Sequence, residues 1–161
     1  MSTLSVWKFE TAEEAHEVLN KLADLFKQQL IQIQDAAVVS WPVGKRRPRT
    51  DNYGSMTGRG VVSGAFWGML FGLIFFVPVF GMAVGATMGA LSGKFNDYGI
   101  NDNFINQVRK EVTEGTSALF LLSSDAVRDR IADEFKGIPA ELILSNLSKE
   151  EEAKLIEDFG V

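Results

Sequence analysis

The stretch that decides the fold is GVVSGAFWGMLFGLIFFVPVFGMAVGATMGALSG, which occupies residues 60–93. Arg59 and Lys94 bound it, and none of the 34 residues between them carries a charge. Glycine recurs at every fourth position on each side of Pro78, as Gly60, Gly64, Gly68, Gly72, Gly81, Gly85, Gly89 and Gly93. Such ladders predict two helices whose glycine sides let another helix approach closely.

The length of this stretch favours a hairpin over one continuous helix. A single helix of 34 residues would be about 51 Å long, against roughly 30 Å for the hydrocarbon core of a bilayer. A break at Pro78 leaves two arms of about 25 Å each. Basic residues flank both ends, as expected if both ends lie on the cytoplasmic side of a membrane. We therefore expect an inserted glycine-zipper hairpin over residues 54–94, with Pro78 in its turn.

The residues around the hairpin predict contacts with lipid headgroups. Residues 45–59 sum to a charge of +4, whereas the rest of the chain sums to −9. A basic side chain near an anionic membrane contributes about 1 kcal/mol, and tyrosine favours the headgroup level. A solvated loop is the competing interpretation. The residues expected to face headgroups are Lys45, Arg46, Arg47, Arg49, Arg59, Lys94, Tyr53 and Tyr98.

The side chains between the glycines also need an enclosure. The first arm carries Phe66, Trp67, Leu70, Phe71, Leu73, Ile74, Phe75 and Phe76. A helix that is apolar on all sides must be enclosed, and one small sheet is not expected to enclose both arms. Lipid is the enclosure that we expect. Burial in a soluble assembly and burial in the core of a monomer are the alternatives.

The charged remainder, residues 1–53 and 95–161, is predicted to form one α+β domain. Strand-helix-strand patterns occur at 4–41 and 117–144, which is typical of a ferredoxin-like (split βαβ) sandwich with its helices on one sheet face. A further helix, capped by Asn101 or Asp102, follows the hairpin. Ser148 with Glu151 or Glu152 opens a short terminal helix.

Composition and motifs indicate no catalytic chemistry. The chain has 161 residues, no cysteine and a net charge of −5, which excludes disulfides and thiolate sites and argues against nucleic-acid binding. The single histidine, His16, has only carboxylates as candidate co-ligands for a metal. The string GALSGKF, at 89–95, has the wrong spacing for a phosphate-binding loop. We expect no catalytic residues, metal, cofactor or small-molecule substrate.

Four strings occur in an order that resembles a known family. They are DAAVV (Asp35–Val39), the glycine-zipper hairpin, DYGIND (Asp97–Asp102) and GTSALFLL (Gly115–Leu122). Together they resemble the uncharacterised bacterial family catalogued as domain of unknown function 1269, over most of the chain. Members are labelled predicted membrane proteins, which the resemblance implies for this chain, and the family brings no catalytic residues.

These patterns lead to one functional hypothesis and two alternatives. The hypothesis is a non-enzymatic, membrane-associated homo-oligomer on the cytoplasmic face of the inner membrane. Its hairpin enters the bilayer and associates with other copies, and its partners are itself and anionic lipid. The alternatives are a soluble self-assembling particle whose hairpins bury one another, and a small-ligand sensor that uses the sheet face.

Overall fold

The strands of the protein form one antiparallel sheet. The structure is a computed structural model that describes residues 2–27, 35–52, 64–76, 93–135, 137–138 and 140–159. Across these residues the sheet has five strands in the order β3-β2-β4-β1-β5, with every neighbouring pair antiparallel. The strands are β1 (Ser2–Phe9), β2 (Asp35–Ser40), β3 (Arg49–Asn52), β4 (Ser117–Ser124) and β5 (Ala140–Leu147).

Helices connect and cover these strands. They are α1 (Glu14–Lys27), α2 (Gly64–Phe71), α3 (Asp102–Glu111), α4 (Asp125–Glu134) and α5 (Lys149–Phe159). A π-helical segment, Gly72–Phe76, continues α2 directly, and residues 93–97 form a short helical turn.

Two β-α-β units interleave in the sheet. Strands β1 and β2, joined by α1, have β4 between them, and strands β4 and β5, joined by α4, have β1 between them. Val6 in β1 therefore lies opposite Phe120 on one side and Ile143 on the other. The predicted α+β class and the two strand-helix-strand units are confirmed.

Two helix starts agree with the sequence patterns. The Asn101 side chain accepts a hydrogen bond from the Phe104 backbone N–H at 2.9 Å, which caps α3. At the start of α5, the Ser148 hydroxyl accepts from the Glu151 N–H at 3.1 Å, and the Glu151 carboxylate accepts from the Ser148 N–H at 2.9 Å. Each cap satisfies N–H groups that have no partner within the helix.

The sheet is covered on both faces, and the helices of its two β-α-β units, α1 and α4, lie together on one of them. Leu4 and Val6 of β1 enter one core, and Trp7 and Phe9 enter the other. We call the first side of the sheet, which α2, α3 and α5 cover, the α2 face. We call the second side, which α1 and α4 cover, the α1 face. The reason lies in the strands, because alternate residues of a strand point to opposite faces and here both sets are apolar.

Strand β3 was not predicted from its charged sequence. Arg49, expected in a basic loop, begins this strand opposite Ser40 of β2, and Asp51 lies opposite Val38. The strand forms by pairing with the edge of β2, a tertiary contact that local sequence does not signal. The β-branched and apolar residues 31–41 predict the second strand, and the first four of them lie outside the described residues.

Candidate interaction surface: the first apolar arm and the basic loop

The first apolar arm, residues 64–76, lies against the protein's own sheet. Phe66, Trp67, Leu70, Phe71 and Ile74 are each at most 3% exposed and belong to the core of the α2 face. The rings of Phe71 and Trp67 meet Phe120 of β4 edge-on, at centroid distances of 5.0 and 6.3 Å. For these residues the expected enclosure by lipid is wrong, because the subunit encloses them itself.

Two glycines of the arm, Gly68 and Gly72, lie on its outer side. Gly68 is exposed and Gly72 is partly exposed, and Met69 between them is 40% exposed. A Cβ added to either glycine would meet no described atom within 4 Å. We call Gly68 and Gly72 the glycine face. The arm thus presents large side chains to the sheet and bare backbone outward.

Arg109 of α3 holds the far end of the arm. Its guanidinium donates through Nε to the Ile74 carbonyl at 2.9 Å and through Nη2 to the Leu73 carbonyl at 2.7 Å. A cation near the C-terminal end of a helix binds carbonyls that lack partners and complements the helix dipole. The local sequence does not predict this role, because nothing in it distinguishes Arg109 from an ordinary exposed base of an amphipathic helix.

A basic loop lies beside the same end of the arm. We define it as Lys45, Arg46 and Arg47, all of which are exposed. The Trp41 indole N–H donates to the Lys45 carbonyl at 2.9 Å, and the Trp41 ring meets the Phe75 ring edge-on at 6.2 Å. Trp41 was not predicted to have this role. Trp41 links the basic loop to the apolar arm, because it contacts both Lys45 and Phe75.

The turn that precedes the basic loop exposes an apolar side chain. Val43 is 82% exposed at its tip. Gly44 follows with φ of +88°, a conformation that favours glycine, and its N–H donates to the Glu114 carboxylate. The loop therefore presents one valine and three cations on an anchored turn.

The other residues predicted for the site are placed as follows. Lys94 and Gly93 are exposed in the helical turn at 93–97, and Arg49 is exposed in β3 with its Nε 3.7 Å from Asp51. Gly64 begins α2. The predicted site residues that lie outside the described residues are Tyr53, Arg59, Gly60, Pro78, Gly81, Gly85 and Gly89.

Tyr98 is buried, so the predicted contact of this side chain with lipid headgroups is wrong. The side chain is 1% exposed, packs edge-on against Phe95 and donates its hydroxyl hydrogen to the Asp158 carboxylate. Burial, followed by this hydrogen bond, raises the pKa of Tyr98 above its ordinary value. The tyrosine instead fixes the segment after the apolar stretch to α5.

The described residues offer little for metal or membrane-spanning chemistry. Among them, no group of three or more histidine, aspartate or glutamate side chains is arranged to hold a metal ion. His16 lies 3.5 Å from Asp51 across to β3. An open pocket of about 300 Å³ lies between α3 and β5. Within the same residues, no helix combines the length and the apolar character needed to cross a membrane.

Comparison with known proteins identifies a family but no activity. The model of the family described as "Protein of unknown function (DUF1269)" matches residues 61–160. That range contains nearly all of the apolar stretch and all of α3, β4, α4, β5 and α5. No curated protein and no solved structure matches the chain. Since the family model covers more than half of the sequence, the chain belongs to the DUF1269 family of proteins of unknown function.

Proposed function

We propose that the protein is a non-enzymatic, membrane-associated homo-oligomer in which the glycine face makes helix–helix contacts. The observation that carries the proposal is the outward direction of that face, where an added Cβ would meet no described atom within 4 Å. The arm's large side chains are used inside the subunit, so bare backbone is what remains for association. Small residues at every fourth position allow helices to approach closely.

The partner of the glycine face is a helix with the same spacing. Gly81, Gly85 and Gly89 of the second arm have it, and so does the glycine face of another copy. The proposal therefore includes a glycine-zipper hairpin, in which the two arms pack together through their glycines. It also includes the ferredoxin-like description of the domain, which the interleaving of two β-α-β units supports.

Anionic lipid is the second proposed partner. The three cations of the basic loop stand beside exposed Val43, and each basic side chain near an anionic surface contributes about 1 kcal/mol. Trp41 ties this loop to Phe75, three residues before Pro78. We therefore propose contact at the cytoplasmic surface of the inner membrane through the loop and the turn of the hairpin, while the first arm stays on the sheet.

Vesicle flotation tests the lipid contact. The full chain is mixed with vesicles of phosphatidylcholine alone or with added phosphatidylglycerol, and we expect it to float with the anionic vesicles. Neutralising the basic loop as Lys45→Gln, Arg46→Gln and Arg47→Gln should abolish flotation. The matched control removes three other exposed charges as Lys110→Gln, Lys149→Gln and Lys154→Gln and should still float. Wild-type protein that stays at the bottom with both vesicles contradicts the lipid contact.

A soluble self-assembling particle is the second candidate function. Burial of the first arm in its own subunit favours it, because that burial reduces the apolar area that lipid would have to cover. Sedimentation without detergent separates the candidates, since a particle is large without lipid. In either case Gly68→Leu with Gly72→Leu should lower the oligomer size, whereas the same positions changed to Ala should not. An unchanged size for the Leu variant contradicts the role of the glycine face.

A further inference from the structure

The two edges of the sheet differ in how they are protected. Strand β3, at one edge, has four residues, of which Arg49 and Asp51 are charged. Strand β5, at the other edge, has eight residues and one charge, Glu141. Short length and charge are the usual means of keeping an edge strand from pairing. β5 is twice as long and carries one charge, and no described strand pairs with its outer edge.

Strand β5 also exposes two leucines. Leu142 and Leu144 lie opposite Trp7 and Ser5 of β1, on the α1 face, and are 40% and 39% exposed. Ile143 and Leu147, on the other face, are buried in the core. The exposed apolar surface of this strand is therefore confined to one side of the sheet, next to a backbone edge with which no described strand pairs.

An open groove accompanies that edge. The pocket of about 300 Å³ is lined by Leu144, Ser145 and Asn146 of β5, and by Asn101, Asn103 and Gln107 from the start of α3. Carboxamides offer both donors and acceptors. They suit a neighbouring polypeptide whose backbone and side chains offer both in turn.

The sequence of β5 is complementary to itself in one register. When two copies pair antiparallel around a two-fold axis through Ile143, Leu142 of each copy lies opposite Leu144 of the other. Glu141 then lies opposite Ser145 rather than another carboxylate. With the axis at Leu142 or at Leu144, one leucine lies opposite its own copy and the other lies opposite Ala140 or Asn146, because moving the axis by one residue moves same-face partners by two. Only the register through Ile143 covers both leucines with leucine.

We infer that two copies of this protein pair through the outer edges of β5, in the register centred on Ile143, to form one continuous sheet. This interface is separate from the glycine face of the proposed function and involves no residue of the apolar stretch. Pairing adds a strand to a free sheet edge through backbone hydrogen bonds, with side chains setting the register. The symmetry is isologous, so the same surface serves both copies.

Disulfide trapping tests the register, because the chain has no cysteine of its own. Leu142→Cys and Leu144→Cys proteins are oxidised separately and as a mixture. Directly opposed residues in an antiparallel pair have Cα atoms about 4.5–5.5 Å apart, within disulfide range. We expect disulfide-linked dimer from the mixture and little from either protein alone. Equal yields in all three samples, or no linked dimer in any, overturn the inference.

Charge reversal provides a second measurement on the same pair. Leu142→Lys with Leu144→Lys, and Leu142→Glu with Leu144→Glu, should each lose the dimer, because like charges lie opposite each other. Mixed together, the two variants should form a heterodimer by sedimentation, and circular dichroism checks that each is folded. Variants that stay paired alone, or folded variants that stay apart when mixed, count against the pairing. Gly68→Leu should not affect either measurement, so the two interfaces can fail independently.

Discussion

The two faces of the sheet are covered by helices of different composition. On the α1 face, α1 and α4 are charged helices in which burial is limited to one apolar stripe, such as Val18 and Leu22. On the α2 face, α2 has no charge at all, yet it also buries only one side. In an amphipathic helix, the distribution of polar and apolar residues indicates which side is buried. In helix α2 the buried side is instead marked by large aromatic side chains, such as Phe66 and Phe71, whereas Gly68 lies on the exposed side.

This difference shows that an apolar composition does not by itself tell whether a helix is enclosed by lipid or by its own subunit. Uniform apolar character suggested an arm enclosed by lipid, but Phe66 and Phe71 are as buried as Leu22 and Leu119 on the opposite face. The apolar arm is therefore a structural part of the α+β domain as well as a candidate interaction surface. Four predictions test whether the two faces are equivalent in energy.

The largest expected effect is on the buried side of the arm. Phe71→Ala removes a ring that packs on Phe120 and should lower the free energy of unfolding by about 3–5 kcal/mol, comparable to Leu22→Ala on the α1 face. Met69→Ala, at a 40% exposed position, should change it by no more than about 0.5 kcal/mol. Urea unfolding followed by circular dichroism measures all three. A Phe71→Ala protein as stable as wild type means that the arm does not rest on the sheet in solution.

The next effect concerns the end of the arm. Arg109→Gln removes a guanidinium that binds two carbonyls at once. Because Arg109 is exposed to solvent, we expect a loss of only about 1 kcal/mol, below the usual range for a buried charged hydrogen bond. The neighbouring Lys110→Gln is the control and should be silent. Hydrogen exchange at residues 72–76 gives a local measurement, and unchanged protection there contradicts the anchoring role of Arg109.

Sequence predicted the elements whose signals are local. The stripe of Phe104, Ile105 and Val108, capped by Asn101, is sufficient to define α3 because its burial and its cap lie within one short segment. The pair Ser148 and Glu151 similarly marks the start of α5. The apolar residues on both sides of β1 indicate two buried faces, and the helices of the two β-α-β units lie together on one of them.

The rest depends on contacts that are distant in sequence. Strand β3 exists because Thr50 and Asp51 pair with β2, and Arg49 does not read as a strand residue by itself. The site partners Trp41 and Arg109 acquire their roles from Phe75 and from the carbonyls of Leu73 and Ile74, which lie 34 or more residues away in the chain. In α2, where every position is apolar, hydropathy carries no information about which side faces the sheet.

The third prediction concerns the open side of the arm. Gly68→Ala adds a Cβ into space that no described atom occupies, and alanine is the better helix former by about 1 kcal/mol. We expect the free energy of unfolding to rise by up to that amount. Gly115→Ala is the matched contrast, since Gly115 has φ of +88° and Val43 would lie 3.3 Å from the new Cβ. It should destabilise the protein. Thermal unfolding distinguishes the two, and destabilisation by Gly68→Ala contradicts the expectation that this position has room for a methyl group.

The smallest effect lies at the margin of the α2 face, where two carboxylates meet. The protonated Glu141 carboxyl donates a hydrogen bond to Glu111, and this bond together with the charge of Glu111 raises the pKa of Glu141 above its ordinary 4.5, against a lowering by Lys8. The folded protein then holds this proton more tightly than the unfolded chain does. The stabilisation is fully present below pH 4.5 and is lost as the pH rises through the higher folded value. Glu141→Gln should flatten this part of the pH dependence of the melting temperature, whereas Glu150→Gln, on exposed α5, should leave it as in wild type. If the two variants have the same pH profile, Glu141 and Glu111 do not share a proton in solution.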